Sequence, residues 1–537
     1  MSVRELDFDS CYRAVAARDA RFDGRFYTAV TSTRIYCRPI CPARTPASRN
    51  VRFYRHAASA EAAGFRPCRR CRPELSPGDP GWDHRGDLIG RALRLIDEGA
   101  ADDAGVAGLA GRLHVTERHL RRLFAAELGT GPLAVARTKR LLLAKQLLTE
   151  TGLPITDVAF ASGFGSVRQF NATMKETYGF TPGDLRAAAG RGSAGRGSAG
   201  RGSAGRAPGT GSGGEGGGGD ALTLRLHVRE PYDAGALMRF LAGRAVPGLE
   251  RVRGPGGAYG VDASGAHDVF GRDGDAGPGG TGGTGGTGGW SYSRAVPGGV
   301  ITLTPLPGHV RLDARLGDTR HLARVVARCR RLLDLDADPG AIASALGETA
   351  LGPLVRARPG LRVPGAWDGF EVAVRAVVGQ QISVAGARTI LGRITARAGR
   401  PAVPGAEAGL SGADAPETGR LFPTADELLE ADLDGLGLTG RRIATLRALA
   451  ERVAGGAIDL DGAQEPGEAV SELLRVPGIG PWTAGYVALR ALRDPDAWPE
   501  GDLVLRRAMA CLGIPDDHIE RWRPWRAYAA LHLWSSA

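Results

Sequence analysis

Four of the seven cysteines in this chain fall into two pairs, Cys37 and Cys41 in YCRPIC, and Cys68 and Cys71 in FRPCRRC. The spacing C-x3-C, then 26 residues, then C-x2-C, lets two turns bring four thiolates onto one tetrahedral ion, for which zinc is the expected occupant. Disulfides are disfavoured in a chain without a secretion signal. Closed four-thiolate sites are commonly structural, so a purely structural zinc stands beside a reading in which one thiolate is a nucleophile. A second group of candidates lies in LLRVPGIGPWTAGYVALRAL, at 473–492. There Gly478 and Gly480 form a turn whose backbone N–H groups suit a phosphate. Trp482 and Tyr486 follow, and Asp502 stands 20 residues after Trp482, at the entry to another helix.

Such groups need rigid supports. Residues 189–220 hold 15 glycines in 32 positions, a GRGSA repeat and then GTGSGGEGGGGD, and read as a flexible linker. Residues 254–289 hold 16 in 36 and read as a disordered insert, because strand-like ALTLRLHV precedes them and GGVITLTPLPGHVRLDARL follows. From Leu88 to Arg186, and again after Thr319, apolar residues recur at helical spacing. The predicted fold is multidomain: a small α/β zinc domain (1–78), an all-α double helix-turn-helix domain (84–188), the linker (189–220), an α+β domain (221–335) and an all-α helix-hairpin-helix domain (336–537). The linker's composition implies halves that act independently at raised local concentration.

At 43% apolar and 24% charged residues the composition is globular. No stretch approaches the roughly 18 apolar residues of a membrane span, and the start, MSVRELDFDS, lacks the basic and apolar regions of a signal peptide. A cytoplasmic protein without membrane partners is expected. Basic residues outnumber acidic ones 69 to 58, and the excess is local: residues 1–188 carry 29 basic and 20 acidic side chains, whereas 221–537 carry 36 of each. Only Lys139, Lys145 and Lys175 are lysines, so the arginine content reflects coding bias as much as phosphate recognition.

Two segments share one plan. VAGLAGRLHVTERHLRRLFAAELG and ITDVAFASGFGSVRQFNATMKETYGFTP each give a short helix, a turn and a second helix with a basic or polar face. Together with the closing GFTPGDLR they resemble the AraC-type activator domain, which implies insertion into successive major grooves. The candidate DNA-facing residues are Arg118, His119, Arg122, Arg168, Gln169 and Asn171; the alternative is a helical bundle with a solvated face.

The wording around the cysteines, FYTAVTSTRIYCRPICPAR and NVRFYRHAASAEAAGFRPCRRCRPE, resembles the N-terminal domain of the Ada family. The resemblance implies that Cys37 accepts a methyl group from a DNA methylphosphotriester, with Cys41, Cys68 and Cys71 completing the zinc site. From 221 onward, LRLHVREPYDAGALMRFLAGRAVPGLE, RPGLRVPGAWDGFEVAVRAVVGQQISV and WRPWRAYAALHLW resemble the AlkA-type 3-methyladenine DNA glycosylases. This implies Asp502 as catalytic carboxylate and Trp482, Tyr486 and Trp534 as the pocket for an extruded base, with Gln381 at the position of the family's DNA-inserted leucine. PEGD also departs from the family's wording before the aspartate. Trp482 occupies the place where strand-cleaving relatives carry a lysine, so a monofunctional enzyme is implied.

Cys329 and Cys511 alone cannot hold a four-cysteine iron–sulfur cluster, and the PCHR site for repairing O6-methylguanine is absent. The expectation is a monomeric alkylation-damage protein acting on double-stranded DNA, with RNA polymerase as partner of its activator half. The competing readings are a regulator whose rear half binds DNA without catalysis, and a DNA-binding protein with structural zinc only.

Overall fold

The computed structural model describes residues 6–19, 22–76, 88–194, 221–255, 257–258, 289–403 and 419–536. The first unit is a four-stranded sheet of order β3-β1-β2-β4, with β1 Tyr27–Val30, β2 Ile35–Cys37, β3 Val51–Tyr54 and β4 Arg66–Pro67. Alternation along β1 and β2 sends Tyr27, Ala29 and Tyr36 into a small core and puts Thr28 and Cys37, paired in register, on the other face. The parallel pairing of β2 with β4, extended by the Cys68 N–H bond to Tyr36 O at 2.9 Å, brings the second cysteine pair beside the first.

The next unit is helical, and its two halves repeat the same local grammar. Helix Glu117–Leu128 is capped by Thr116, and helix Val167–Tyr178 by Ser166; both hydroxyls accept the N–H three residues on. Both helices stop at a glycine in the left-handed region, Gly129 and Gly179. The turn before each cap also needs positive φ, taken by His114 (54°) and Gly163 (84°). At Gly163 the positive φ and a Cβ that would meet the Asp102 carboxylate at 2.7 Å both favour glycine. Leu120 and Phe124 are buried in one helix, Phe170 and Met174 in the other.

Helix Pro182–Ala194 runs past position 189 into the first GRGSA repeat, so the expected linker begins later than its composition suggests. Its anchor is local: Leu185 is buried and the alanines behind it propagate an established helix. Most of the linker, and residues 259–288 of the expected insert, lie outside the described residues.

Beyond the linker, six strands pair antiparallel in the order β5-β10-β9-β8-β6-β7: β5 Leu222–His227, β6 Glu250–Gly254, β7 Gly257–Ala258, β8 Ser291–Val296, β9 Gly299–Leu306 and β10 His309–Leu316. Thus β7 forms where the disordered insert was expected to begin. Helix Ala234–Arg244 packs on this sheet, and helices from Leu322 to Trp534 complete the rear half. Among the described residues no helix is long and apolar enough to cross a membrane. The two halves also touch, contrary to the independence inferred from the linker. Arg331 pairs with Glu98 at 3.0 Å, Gln146 donates to Arg225 O at 2.9 Å, and Arg229 donates to Asp23 O at 2.8 Å.

A buried ionic network joins the second sheet to helix Gly369–Val378. Glu250 accepts from Tyr292 (2.6 Å), Arg294 (2.9 Å) and Arg375 (2.7 Å), while Arg294 and Arg375 also bind Glu371. Burial opposes the Glu250 charge, but Arg375, Arg294 and the Tyr292 hydroxyl together hold its carboxyl down at about 2, below the ordinary 4.5. A depressed folded-state value stabilises above the unfolded value and is lost on acidification. The rear half is therefore expected to lose stability as pH falls from about 4.5 toward 2. Glu250→Gln should flatten that dependence and, by leaving two guanidinium partners underbonded, lower stability at pH 7 by about 3 kcal/mol, read by denaturant unfolding at each pH.

Candidate functional sites

The thiolate cluster is assembled by β2, the loop after it and the turn after β4. All four sulfurs of Cys37, Cys41, Cys68 and Cys71 lie within 4.8 Å of one another. A Zn–S length of about 2.3 Å places tetrahedral sulfurs about 3.8 Å apart, so this donor set fits zinc in number, kind and spacing. Arg38 holds the cluster from behind: its guanidinium is buried against Asp23, and its N–H donates to Cys71 Sγ at 3.3 Å.

The four sulfurs are not equivalent. Cys68 and Cys71 are buried, and each accepts a backbone N–H at 3.3 Å, from Arg70 and Arg38. Cys37 and Cys41 are both half-buried; Cys41 takes the Ala43 backbone N–H, whereas Cys37, among the described residues, receives none. Hydrogen bonds to a thiolate stabilise its charge and lower its nucleophilicity, so Cys37 is the sulfur best placed to react. It opens onto a cavity of about 530 Å³ whose rim carries Arg44, Arg66, Arg69 and Arg70. That rim matches a phosphate backbone.

The zinc unit is fastened to the helix-turn-helix units through buried polar groups. Glu61, behind the sheet, accepts from Tyr36 (3.0 Å), Thr138 (2.6 Å) and Tyr178 (3.4 Å). Tyr36 adjoins Cys37, while Thr138 and Tyr178 belong to helices Pro132–Glu150 and Val167–Tyr178. Lys145 is buried with its amine on Cys68 O (3.1 Å) and Glu74 (2.7 Å). Arg118, His119 and Arg122 are exposed on the second helix of one unit, and Arg168, Gln169 and Asn171 on that of the other.

In the rear half, Asp502 caps helix Leu503–Cys511 and is 9% exposed. Its Oδ1 accepts from Val504 N and Leu505 N, both at 2.9 Å, and from Trp534 Nε1 at 3.3 Å; among the described residues its Oδ2 accepts only from Trp482 Nε1, at 2.7 Å. The less crowded Oδ2 is the oxygen with capacity for a further contact. Trp482 and Tyr486 lie one turn apart on helix Pro481–Arg490 and stack at 5.4 Å with planes 12° apart. Trp534 ends helix Arg526–Trp534 and is 6% exposed. The structure thus gathers the three sequence-selected aromatic residues at the Asp502 carboxylate, Trp482 and Trp534 directly and Tyr486 through its stack on Trp482.

The glycine turn connects helices Pro466–Leu474 and Pro481–Arg490. Gly478 has φ +92°, and a Cβ there would lie 2.2 Å from Thr445 Oγ1, so the turn cannot carry another residue. Gly480 is the N-cap of the second helix and offers no side-chain cap, which leaves the first N–H groups open to an anion. Gln381 is exposed at φ +58° between helices Gly369–Val378 and Val384–Ala398, without a hydrogen bond to the Asp502 cluster. Its neighbour Gln380 makes the structural contact that no sequence signal marked: Nε2 donates to Gly478 O at 3.0 Å and Thr483 Oγ1 at 3.1 Å, bolting this tip to the glycine turn. Phe240, Arg244 and Arg490 also gather at Tyr486, again without a local signature.

Three family profiles match: the metal binding domain of Ada over residues 10–74, a helix-turn-helix domain over 109–188, and the AlkA N-terminal domain over 223–368. A Mycobacterium tuberculosis protein named "Probable bifunctional transcriptional activator/DNA repair enzyme AlkA" is 43% identical, covering 99% of this chain and 96% of its own length. The DNA-3-methyladenine glycosylase 2 of Escherichia coli is 32% identical over 58% of this chain and 95% of its own. The bifunctional transcriptional activator/DNA repair enzyme Ada of the same organism is 36% identical over 34% of this chain, which spans about half (49%) of that relative. With the four-thiolate geometry, these findings give one zinc ion per chain. Metal analysis should return one equivalent, and Cys68→Ala or Cys71→Ala should bring it close to zero while leaving the far-UV signature of the rear half intact.

Proposed function

This chain belongs to the family of bifunctional transcriptional activator/DNA repair enzymes that join an Ada-type front to an AlkA-type glycosylase, and we propose that Cys37 and Asp502 carry its two reactions. The protein is a DNA-binding transcriptional activator and a DNA glycosylase for alkylated bases. The assignment of residues is our own reading, supported chiefly by the donor count at each centre: no backbone N–H at Cys37, and four N–H groups around Asp502.

At the front, zinc holds its ligand sulfurs deprotonated at neutral pH when bound. The Cys37 thiolate attacks the methyl carbon of a methylphosphotriester. As the S–C bond forms the O–C bond breaks, and its electron pair stays on oxygen, restoring the phosphodiester anion without any proton transfer. The Arg44, Arg66, Arg69 and Arg70 rim holds the flanking phosphates. Methylation converts one thiolate to a neutral thioether, so the four-cysteine site goes from a net charge of −2 to −1 and repels DNA less. Glu61 and Lys145 tie this unit to the connecting helix Pro132–Glu150 and to the second helix-turn-helix unit, and the exposed faces, Arg118, His119 and Arg122 on one unit and Arg168, Gln169 and Asn171 on the other, enter successive major grooves. The activator acts as a monomer on RNA polymerase, in a cytoplasmic, nucleoid-associated setting.

At the rear, Gly478 and Gly480 grip a phosphate through backbone N–H groups, which explains DNA binding by a half with no net charge. Gln381 fills the gap as the damaged nucleotide swings out of the stack. The alkylated base, a cation and good leaving group, meets the faces of Trp482, Tyr486 and Trp534. Asp502 Oδ2 faces the sugar and stabilises the positive charge that grows there as the base departs. No lysine occurs after Lys175, so the product is an intact strand with an abasic site.

Two variants separate the activities. Cys37→Ser should abolish transfer from methylphosphotriester DNA, removing the gain of about 14 Da on the Cys37 peptide while sparing base release. Asp502→Asn should lower single-turnover release of 3-methyladenine by about 100-fold or more with methyl transfer unchanged. Undiminished release in that variant would reject Asp502 as the catalytic carboxylate.

A further inference from the structure

Two guanidinium groups lie at the end of the aromatic stack farthest from Asp502. Arg490 is 7% exposed, and its donors go to neutral oxygens only: Pro364 O at 2.7 Å, Gly365 O at 2.9 Å and the Tyr486 hydroxyl at 3.0 Å. Arg244 lies over the ring of Phe240 at 4.0 Å, and Arg490 over the same ring at 4.8 Å, so one phenyl group is held between two cations. Neither arginine has a carboxylate partner among the described residues. The nearby carboxylates Glu250 and Glu371 are matched by Arg294 and Arg375, two charges against two.

A guanidinium withdrawn from water without a counter-charge destabilises a fold, and an apolar residue of similar volume would commonly serve packing better. The two cations also act together on one group. Burial raises the pKa of the Tyr486 phenol, yet the charges of Arg490 and Arg244 outweigh it and bring the group below its ordinary value. The positive potential therefore reaches the ring that stacks on Trp482.

We propose that Arg490 and Arg244 form a cationic wall behind the extruded base, which opposes the Asp502 carboxylate across the Trp482–Tyr486 stack and drives the bond's electron pair onto the leaving base. The inference rests on the assignment of Trp482, Tyr486 and Asp502 to the base and sugar ends of the site. Heterolysis of the glycosidic bond has one direction of charge flow for every lesion: the C–N electron pair goes to the base, and positive charge appears on the sugar. Water then adds to the sugar carbon and releases a proton to solvent. A cation behind the base and an anion beside the sugar both favour that shift, and both are fixed before reaction. For a base that is already cationic, the wall also weakens ground-state binding, so removing it slows release without loosening the complex.

The test uses the full-length protein, with single-turnover release of 7-methylguanine and equilibrium binding of the same lesion-containing duplex measured side by side. Arg490→Met and Arg244→Met are each expected to slow release by about tenfold, with affinity for the duplex unchanged or tighter, and Arg490→Lys is expected to recover most of the lost rate. Arg244 is half-exposed, so its variant keeps the test open if Arg490→Met does not fold. Release at the wild-type rate in Arg244→Met, or rate and affinity falling together without recovery by lysine, would overturn the wall. Asp502→Asn is run in parallel: if that variant also keeps full activity, the assignment of the site has failed, and not the wall alone.

Discussion

A charge taken out of water must meet partners of fixed geometry, and that constraint organises this protein at each of its centres. In the rear half it locks Glu250, Arg294, Glu371 and Arg375 into a network that fixes the second sheet against helix Gly369–Val378. That helix leads directly into Gln380, which bolts the exposed tip at Gln381 to the glycine turn at Gly478. The placement of this tip and the glycine turn is thus tied to an ionic network well behind them.

The same constraint divides donors unequally, and chemistry follows from the inequality. Asp502 receives three N–H groups on one oxygen and one on the other, which aims its remaining capacity in one direction. Cys41, Cys68 and Cys71 receive backbone N–H groups while Cys37, among the described residues, receives none, so four chemically identical ligands become unequal, and the proposed role of Cys37 rests on that inequality. Arg490 is the opposite case, a buried charge satisfied by dipoles alone.

Legibility from the sequence follows the range of each interaction. The cysteine pairs are readable because ligand geometry demands two thiolates per turn, which is a local spacing. The helix-turn-helix units are readable because cap, apolar period and terminal glycine all lie within some fifteen residues. The glycine-rich linker is overread at its start, since helix Pro182–Ala194, once anchored by Leu185, propagates through GRGSA. The distinction between Gln380 and Gln381 is invisible in GQQISV, because adjacent residues of one type point different ways and only the backbone at φ +58° decides which is bolted and which is exposed.

By itself the sequence determined the four-thiolate donor set, the order of the three matched profiles and the uneven charge between the front and rear, and it marked the candidate reactive groups, because each is a matter of residue type and short-range spacing. Tertiary structure alone decided which sulfur lacks a donor, which carboxylate oxygen is open, and that Arg244 and Arg490 stand without counter-charges among the described residues beside one tyrosine. Those properties depend on contacts between residues as far apart as Phe240 and Arg490, and composition carries no record of which charges end up paired once the chain has closed around them.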